Sequence, residues 1–548
     1  MTRQFSTPVK FASLFAMFVI LGLVPREQQI CHAQTNKPKF TISPSTTFIT
    51  EPVHANGHVD FAAAINSRLS VGITAANNAC IPLYEAIGPS TAQIDTHLWL
   101  WGPRQVEAFF QSIGASPHIY KKRSALHELR PTLNVNRHFQ AYVHPDSRFD
   151  HVFRLLHVAA RCDRYYSPLI TNGASDGRPQ ALMGASYPSN AAIRCAAELL
   201  LTRAQALDER DASWKDILAS YRLGRLVGLG PEVDDALLGM QIEEKSIAAA
   251  LRFIDRFHPD AIELKNCQTD LAGIPEQSSV GAKVNLSERC RCLDALLYLA
   301  WYMDPKNPHI GFDPISRGFG GICSQISRQG IREPNWDPTL KEINTSHDEI
   351  VRVLNLPTFG KCRQALDQLE SKWKTLRAPF TLPDRGEFSK LNAWEQTPEF
   401  QERMETLTWL NWKLTSLTNT SAGAVNVDTE QEAAVMRIAG RAAATMVQPM
   451  YVRAHLAEER TRQRAHNLEV AFALSAYYAD HAMYPEELAH LKPKYLTETP
   501  IDLFVGKAPI YRPLKDGFVL YSVGENQQDD DGKYNPQGAD DLGVQLGK

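Results

Sequence analysis

Between residues 187 and 256 the chain repeats one pattern three times, and this constrains its fold more than any other feature. Ala191, Cys195, Leu199 and Ala206 recur near helical spacing. In SWKDILASYRLGRLVGLG, Trp214, Ile217, Leu218 and Tyr221 fall at i, i+3, i+4 and i+7. Pro231 then opens VDDALLGMQIEEKSIAAALRFIDRF. Amphipathic helices joined by a few residues must fold back on one another to bury their apolar stripes, so an antiparallel α-hairpin array is expected. Ser213 is expected to cap the middle helix and Lys215-Asp216 to begin its polar face. Trp214, Leu218 and Tyr221 suit one helix of a 34-residue helical repeat, but no second copy follows at fixed period.

Helical patterns flank this block. FAAAINSRL follows Asp60, and RQVEAFFQSIG runs from Pro103 to a closing glycine, the favoured asymmetry. Others cover 359–377, 397–416 and 428–480, and Gly440 and Pro449 are expected to divide the last. Pro305, Pro308, Pro314, Pro334 and Pro338 make 303–340 an irregular connector. After Tyr484-Pro485 the pattern changes. PEELAHL is a short helix, and Ala508–Leu514 and Phe518–Val523 are strand-like runs around Lys515-Asp516-Gly517, a hairpin signal. A helix carrying Leu468, Ala471, Leu474 and Tyr478 is expected to pack across that sheet. The fold class is therefore mainly α: a helical hairpin array, then a small C-terminal α+β module of a long helix and a short antiparallel sheet. The divisions are 1–33, a signal peptide or N-terminal anchor; 34–57, a polar linker; 58–302, the helical body; 303–340, the connector; 341–455, a second helical segment; and 456–548, the α+β module.

The N-terminus reads as an export signal. Arg3 and Lys10 precede FASLFAMFVILGLV, which is shorter than the about 20 apolar residues of a spanning helix and within the about 7–15 of a signal peptide. Ala33 is a usable cleavage site, and an uncleaved anchor is the alternative. A net charge of −3, from 58 basic and 61 acidic residues, leaves no basic excess to draw nucleic acid. The Arg-rich run 452–464 is expected to be a solvated surface. Eight cysteines lie beyond Cys31, some able to pair in an oxidising compartment, but too few for a disulfide framework.

AYYADHAMYPEELAHLKPKYLTETPIDLF and APIYRPLKDGFVLYSVGENQQDDDGKYNPQGADDLGV resemble the periplasmic domain of the major pseudopilins of type II secretion. Tyr484-Pro485, Pro500 and Asp502, and Tyr521-Ser522-Val523-Gly524 carry the likeness. His481 stands where Gly is usual, and Leu503 replaces the Pro after Asp502. RYYSPLI at 164–170 and ASYRLGRLVGLGPEVDDALLG at 219–239 resemble a family of uncharacterised exported planctomycete proteins that often end in such a tail. The resemblance implies an envelope location and a Ca²⁺ site in the acidic loop. Asp540 and Asp541 match the closing acidic pair of that loop, and Asn526 falls where an early Asp ligand is usual. Polymerisation as a pilin is not expected, because the apolar run is short, contains no acid and lies far from the module.

From the residues themselves, Glu525, Asp529, Asp530, Asp531, Asp540 and Asp541 crowd a flexible segment, the oxygen-rich setting that Ca²⁺ needs. Gly173-Ala174-Ser175-Asp176-Gly177 matches the nucleophile elbow by letter, but the elbow needs a strand before it and a helix after it. His54 and His58 flank Asn56-Gly57, which favours a turn over a helical metal pair. Cys290 and Cys292 diverge on a helix, one expected to be buried and the other paired in a disulfide. Gly318-Phe319-Gly320-Gly321 lacks the Lys-Ser or Lys-Thr of a P-loop. Trp99, Trp101, Trp409 and Trp412 are read as core. The expected function is that of an exported, non-enzymatic envelope scaffold that binds a protein partner, without nucleic acid, and meets a membrane only through an uncleaved N-terminus. The alternative is an exported hydrolase with its site in the helical body.

Overall fold

A computed structural model describes residues 40–87, 103–115, 147–171, 182, 185, 190–302, 326, 331, 333–377, 429–535 and 538–547. Residues 1–39, the 397–416 pattern, Gly173–Gly177, Gly318–Gly321 and the four tryptophans just named lie outside them. The chain is mainly helical with a small antiparallel sheet of three strands near its end.

Local capping sets where the first helices start. Asp60 accepts from Ala63 N at the start of α1 (Phe61–Leu69). Before α2 (Cys80–Ile87), the buried Asn78 side chain accepts from Cys80 N and Tyr166 N and donates to Tyr166 O. Helix α3 (Pro103–Ser112) gives way to Gly114 at φ +70°, a conformation that favours glycine. Residues 40–57, part of the expected linker, lie against the body: Thr46, Thr47 and Ile49 are buried, and Asn344 Nδ2 donates to Ser45 O and Thr46 O. His54 N donates to His58 O around Gly57 at φ +86°, the turn expected there.

The central array forms as the threefold pattern predicts. Helix α4 (Ser147–Arg161) leads into α5 (Asn190–Ala206), α6 (Arg210–Val227) and α7 (Val233–Phe257). Trp214 meets Phe253, Ser220 meets Ser246, and Gly224 meets Gly239, so α6 and α7 run antiparallel. A Cβ on Gly239 would lie 2.5 Å from Gly224 O, so glycine allows the backbones to touch. Two details differ from expectation. Glu209, not Ser213, precedes the first turn of α6, and Ser213 Oγ donates to Ala204 O. Asp216 is fully buried rather than on a polar face. It accepts from Arg203 Nε at 2.6 Å and meets His157 Nε2 at 2.8 Å, so ion pairing offsets its desolvation.

Helix α8 (Ala261–Ala272) follows, then α9 (Val280–Lys283), a π turn at Val284–Glu288, and α10 (Arg289–Tyr302). Cys290 and Cys292 are both buried free thiols, so the expected disulfide partner is absent; Cys80, Cys162, Cys267 and Cys362 are free thiols too. Helix α11 (Asp337–Leu354) starts before the expected end of the connector, with Pro338 in its first turn, where no amide donor is needed. Helix α12 is Phe359–Arg377.

Helix α13 (Thr429–His481) runs for 53 residues, with Pro449 inside it. Neither Gly440 nor Pro449 divides it. A Cβ on Gly440 would lie 2.7 Å from Thr339 O, so this glycine lets α11 and α13 approach. Two contacts with α11 on the N-terminal side of Pro449, Thr339 Oγ1 to Met436 O and Gln448 Nε2 to Ser346 O, help offset the roughly 3 kcal/mol that an interior proline costs. Nor is 452–464 a plain solvated surface: Arg460, Arg462 and Arg464 pair with Glu525, Glu459 and Glu244.

A 3₁₀ turn (Leu488–Leu491) precedes β1 (Ile510–Leu514), β2 (Gly517–Ser522) and β3 (Leu542–Leu546), in the order β1-β2-β3. Leu514 pairs with Gly517, so Lys515-Asp516 is the two-residue turn. A Cβ on Gly517 would lie 2.0 Å from Leu546 O, so this glycine serves the approach of β3, a strand not foreseen from the sequence. Leu468, Ala471 and Leu474 of α13 share a core with Phe518, Leu520, Val544 and Leu546 of the sheet. Tyr478 is instead 40% exposed and stacks on Tyr484. Trp214, Ile217, Tyr221 and Phe253 of the array join the same core, so sheet and array sandwich α13. Among the described residues no helix is long and apolar enough to cross a membrane.

Candidate metal site in the C-terminal loop

The segment between β2 and β3 begins on a fixed base. Asp502 is buried, and its two oxygens accept from Phe504 N and Val523 N, pinning the exit of β2. Gly524 follows at φ +68°, and a Cβ there would lie 2.3 Å from Asp540 O. The two limbs of the loop can meet only because this residue is glycine.

Backbone amides then gather the acids. Asp540 Oδ2 accepts from Glu525 N at 2.8 Å and Asn526 N at 3.1 Å. Asp541 Oδ2 accepts from Asp530 N at 3.0 Å and Gly532 N at 2.7 Å. Each carboxylate thereby uses one oxygen to close a turn. The other oxygen of each, Oδ1, is buried and accepts no hydrogen bond. Asp541 is only 1% exposed. An acceptor buried without a partner is costly, and more so when charged. Burial accordingly pushes both carboxyls upward, against the amides that hold them, with Asp530 adding to the rise.

The three expected ligands lie in one folded loop, with unequal roles. Asp540 and Asp541 supply the free oxygens. Asn526 organises the loop: its Nδ2 donates to Asp530 Oδ2 and Gly538 O, and its Oδ1 accepts from Gln528 N. Asp530, not among the expected ligands, also accepts from Asp540 N at 3.3 Å. Its place depends on pairing across the loop, which spacing along the chain does not reveal. At the edge, Arg460 Nη1 meets Glu525 Oε1 at 2.8 Å, and Tyr521 Oη donates to Asp529. Carboxylate oxygens suit a hard divalent cation, though among the described residues no three of the loop's acids bring ligand atoms within 4.8 Å of one another.

A second concentration of charge lies in the body. Arg291 Nη1 meets Glu232 Oε1 at 2.7 Å, Glu288 Oε1 accepts from Val233 N at 3.0 Å, and Lys283 Nζ donates to Gly230 O. Burial, then Glu232, raises Asp235 to about 7, and burial lowers Lys283 to about 8. A narrow recess lined by Tyr165, Ser167, Asn190, Glu232 and Asp235 adjoins them. Its acids are engaged at the start of α7: Asp235 accepts from Glu232 N, and Glu232 holds Arg291. This arrangement fixes helix ends rather than presenting reactive groups.

No family model, no curated protein and no solved structure matches this chain.

Proposed function

We infer that this chain is an exported cell-envelope scaffold whose helical array binds a protein partner and whose C-terminal α+β module, pseudopilin-like in sequence, is tightened by Ca²⁺. The observation that carries the metal reading is the pair of buried Oδ1 atoms on Asp540 and Asp541 without hydrogen-bond partners. Asp540 and Asp541 would offer these oxygens to the ion, and Asn526 would keep the loop in shape. The ion would neutralise carboxylates that otherwise repel one another. Export and the envelope partner rest on the apolar N-terminal run and on the sequence likeness. The packed array, its polar recess engaged in helix capping, suits a binding role better than a hydrolytic one.

The test is a thermal melt of the full chain in millimolar Ca²⁺ and in chelator. An ion that binds only the folded form raises the midpoint, by about 2.7 kcal/mol of stabilisation at a hundredfold excess over Kd. An unchanged midpoint would remove the metal from this reading. Cell fractionation tests export separately, and a chain that stays in the cytoplasm would remove the envelope role.

A further inference from the structure

Helices α12 and α13 bring a thiol on one beside an imidazole and a carboxylate on the other. Cys362 Sγ lies 3.4 Å from His455 Nε2, and His455 Nδ1 lies 3.2 Å from Glu458 Oε2. Glu458 is itself held: Oε2 accepts from Val280 N at 3.4 Å and Oε1 from Arg462 Nη2 at 3.5 Å. Thiol, imidazole and carboxylate thus stand in a row, with the last oriented by two further donors. A nucleophile, its base and the base's orienter stand in the same order in triad chemistry.

We propose that Cys362, His455 and Glu458 form a reactive thiol site in which His455 hydrogen-bonds the Cys362 sulfur and Cys362 reduces small, uncharged hydroperoxides. Ion pairing makes this arrangement self-consistent. Although burial works against a charged ring, the hydrogen bonds to Cys362 and Glu458 carry His455 up to about 10. The charged groups around the ring are Glu458, Glu459 and Arg462 of α13, with Lys283 of α9 interacting with Glu458. Two acids offset two bases, so passing a proton between sulfur and the ring adds no net charge.

The surroundings select the substrate. Cys362 is 2% exposed, in a core that includes Val353, Leu354, Leu366 and Val452. That shell suits a small neutral electrophile and excludes a peptide. In the reaction the sulfur attacks the terminal peroxide oxygen, an S–O bond forms and the O–O bond breaks. The departing oxygen takes a proton from His455 Nε2, and the proton of the Cys362 thiol replaces it. Sulfur is oxidised to the sulfenic acid and the peroxide is reduced to water or an alcohol.

The full chain is exposed to hydrogen peroxide between about pH 6 and 7, and oxidation at each cysteine is followed by mass spectrometry. Cys290 and Cys292 are internal controls, because they are as deeply buried and burial pushes both thiols up to about 12. Cys362 is expected to oxidise at least about tenfold faster than either, with Glu458→Gln reducing the preference and His455→Gln abolishing it. Equal rates at the three cysteines would overturn the proposal. Oxidation of Cys362 no faster in the parent than in His455→Gln would also overturn the proposal.

Discussion

Arg460 on α13 and Glu525 at the entry to the acidic loop are joined at 2.8 Å, which ties the loop to the helix that also carries the sheet and the array. Burial raises Glu525 even with Arg460 beside it, and Asp540 adds to the rise. Arg460→Ala should therefore cost about 1 kcal/mol near pH 8 and less near pH 5, where the stranded carboxyl can take up a proton. Adding Glu525→Gln should restore most of the loss. Urea melts of both variants at the two pH values check this, and a loss independent of pH would count against the ion pair.

Asp541→Asn separates the ion from the loop's own stability. The amide oxygen can still accept from Asp530 N and Gly532 N, while an unpartnered buried charge disappears. In chelator the variant should melt no lower than the parent, whereas the upward shift in Ca²⁺ should vanish. Asp516→Asn in the exposed hairpin turn is the control for unspecific salt effects. A full Ca²⁺ response in Asp541→Asn would place the ion elsewhere.

Asp294 offers a pH test of the core. Its Oδ2 accepts from Leu182 N at 2.5 Å, but burial dominates and raises its carboxyl to about 8, with Asp60 adding to the rise. The folded state thus holds a proton that the unfolded chain releases near pH 4, and this group's stabilising contribution declines between about pH 4 and 8. Asp294→Asn keeps an acceptor for Leu182 N without that ionisation. Its stability should exceed the parent's increasingly from pH 5 to pH 8. Parallel pH profiles would show that Asp294 is not protonated.

Gly440→Ala tests the close approach of α11 and α13. The added methyl would lie 2.7 Å from Thr339 O and 2.9 Å from the Glu342 Cβ. Forcing α11 away from α13 should cost about 1–3 kcal/mol, read from chemical denaturation. Gly360→Ala meets nothing within 4 Å and should cost nothing measurable.

The parts legible in advance were those encoded locally. The spacing of Trp214, Ile217 and Tyr221 and the break at Pro231 marked the array, and Lys515-Asp516-Gly517 marked the hairpin. In the loop, Asp540 and Asp541 stood out as a carboxylate pair. Asp216 was misplaced because a charged side chain usually marks a solvated face, and only the presence of Arg203 and His157 across two other helices reverses that. Tyr478 was misplaced in the opposite sense, because helical spacing does not show where a short sheet ends.

By itself the sequence determined the helix-rich class, the order of the elements, the antiparallel return of the array and the acidic character of the last loop. Tertiary structure alone decided that α13 runs unbroken through Gly440 and Pro449, that Gly517 admits a third strand, and that Cys362 meets His455. The division has one physical cause. Periodicity, capping and turn chemistry act over a few residues, whereas glycine contacts, buried ion pairs and thiol–imidazole pairs form between segments that only folding brings within a few ångströms.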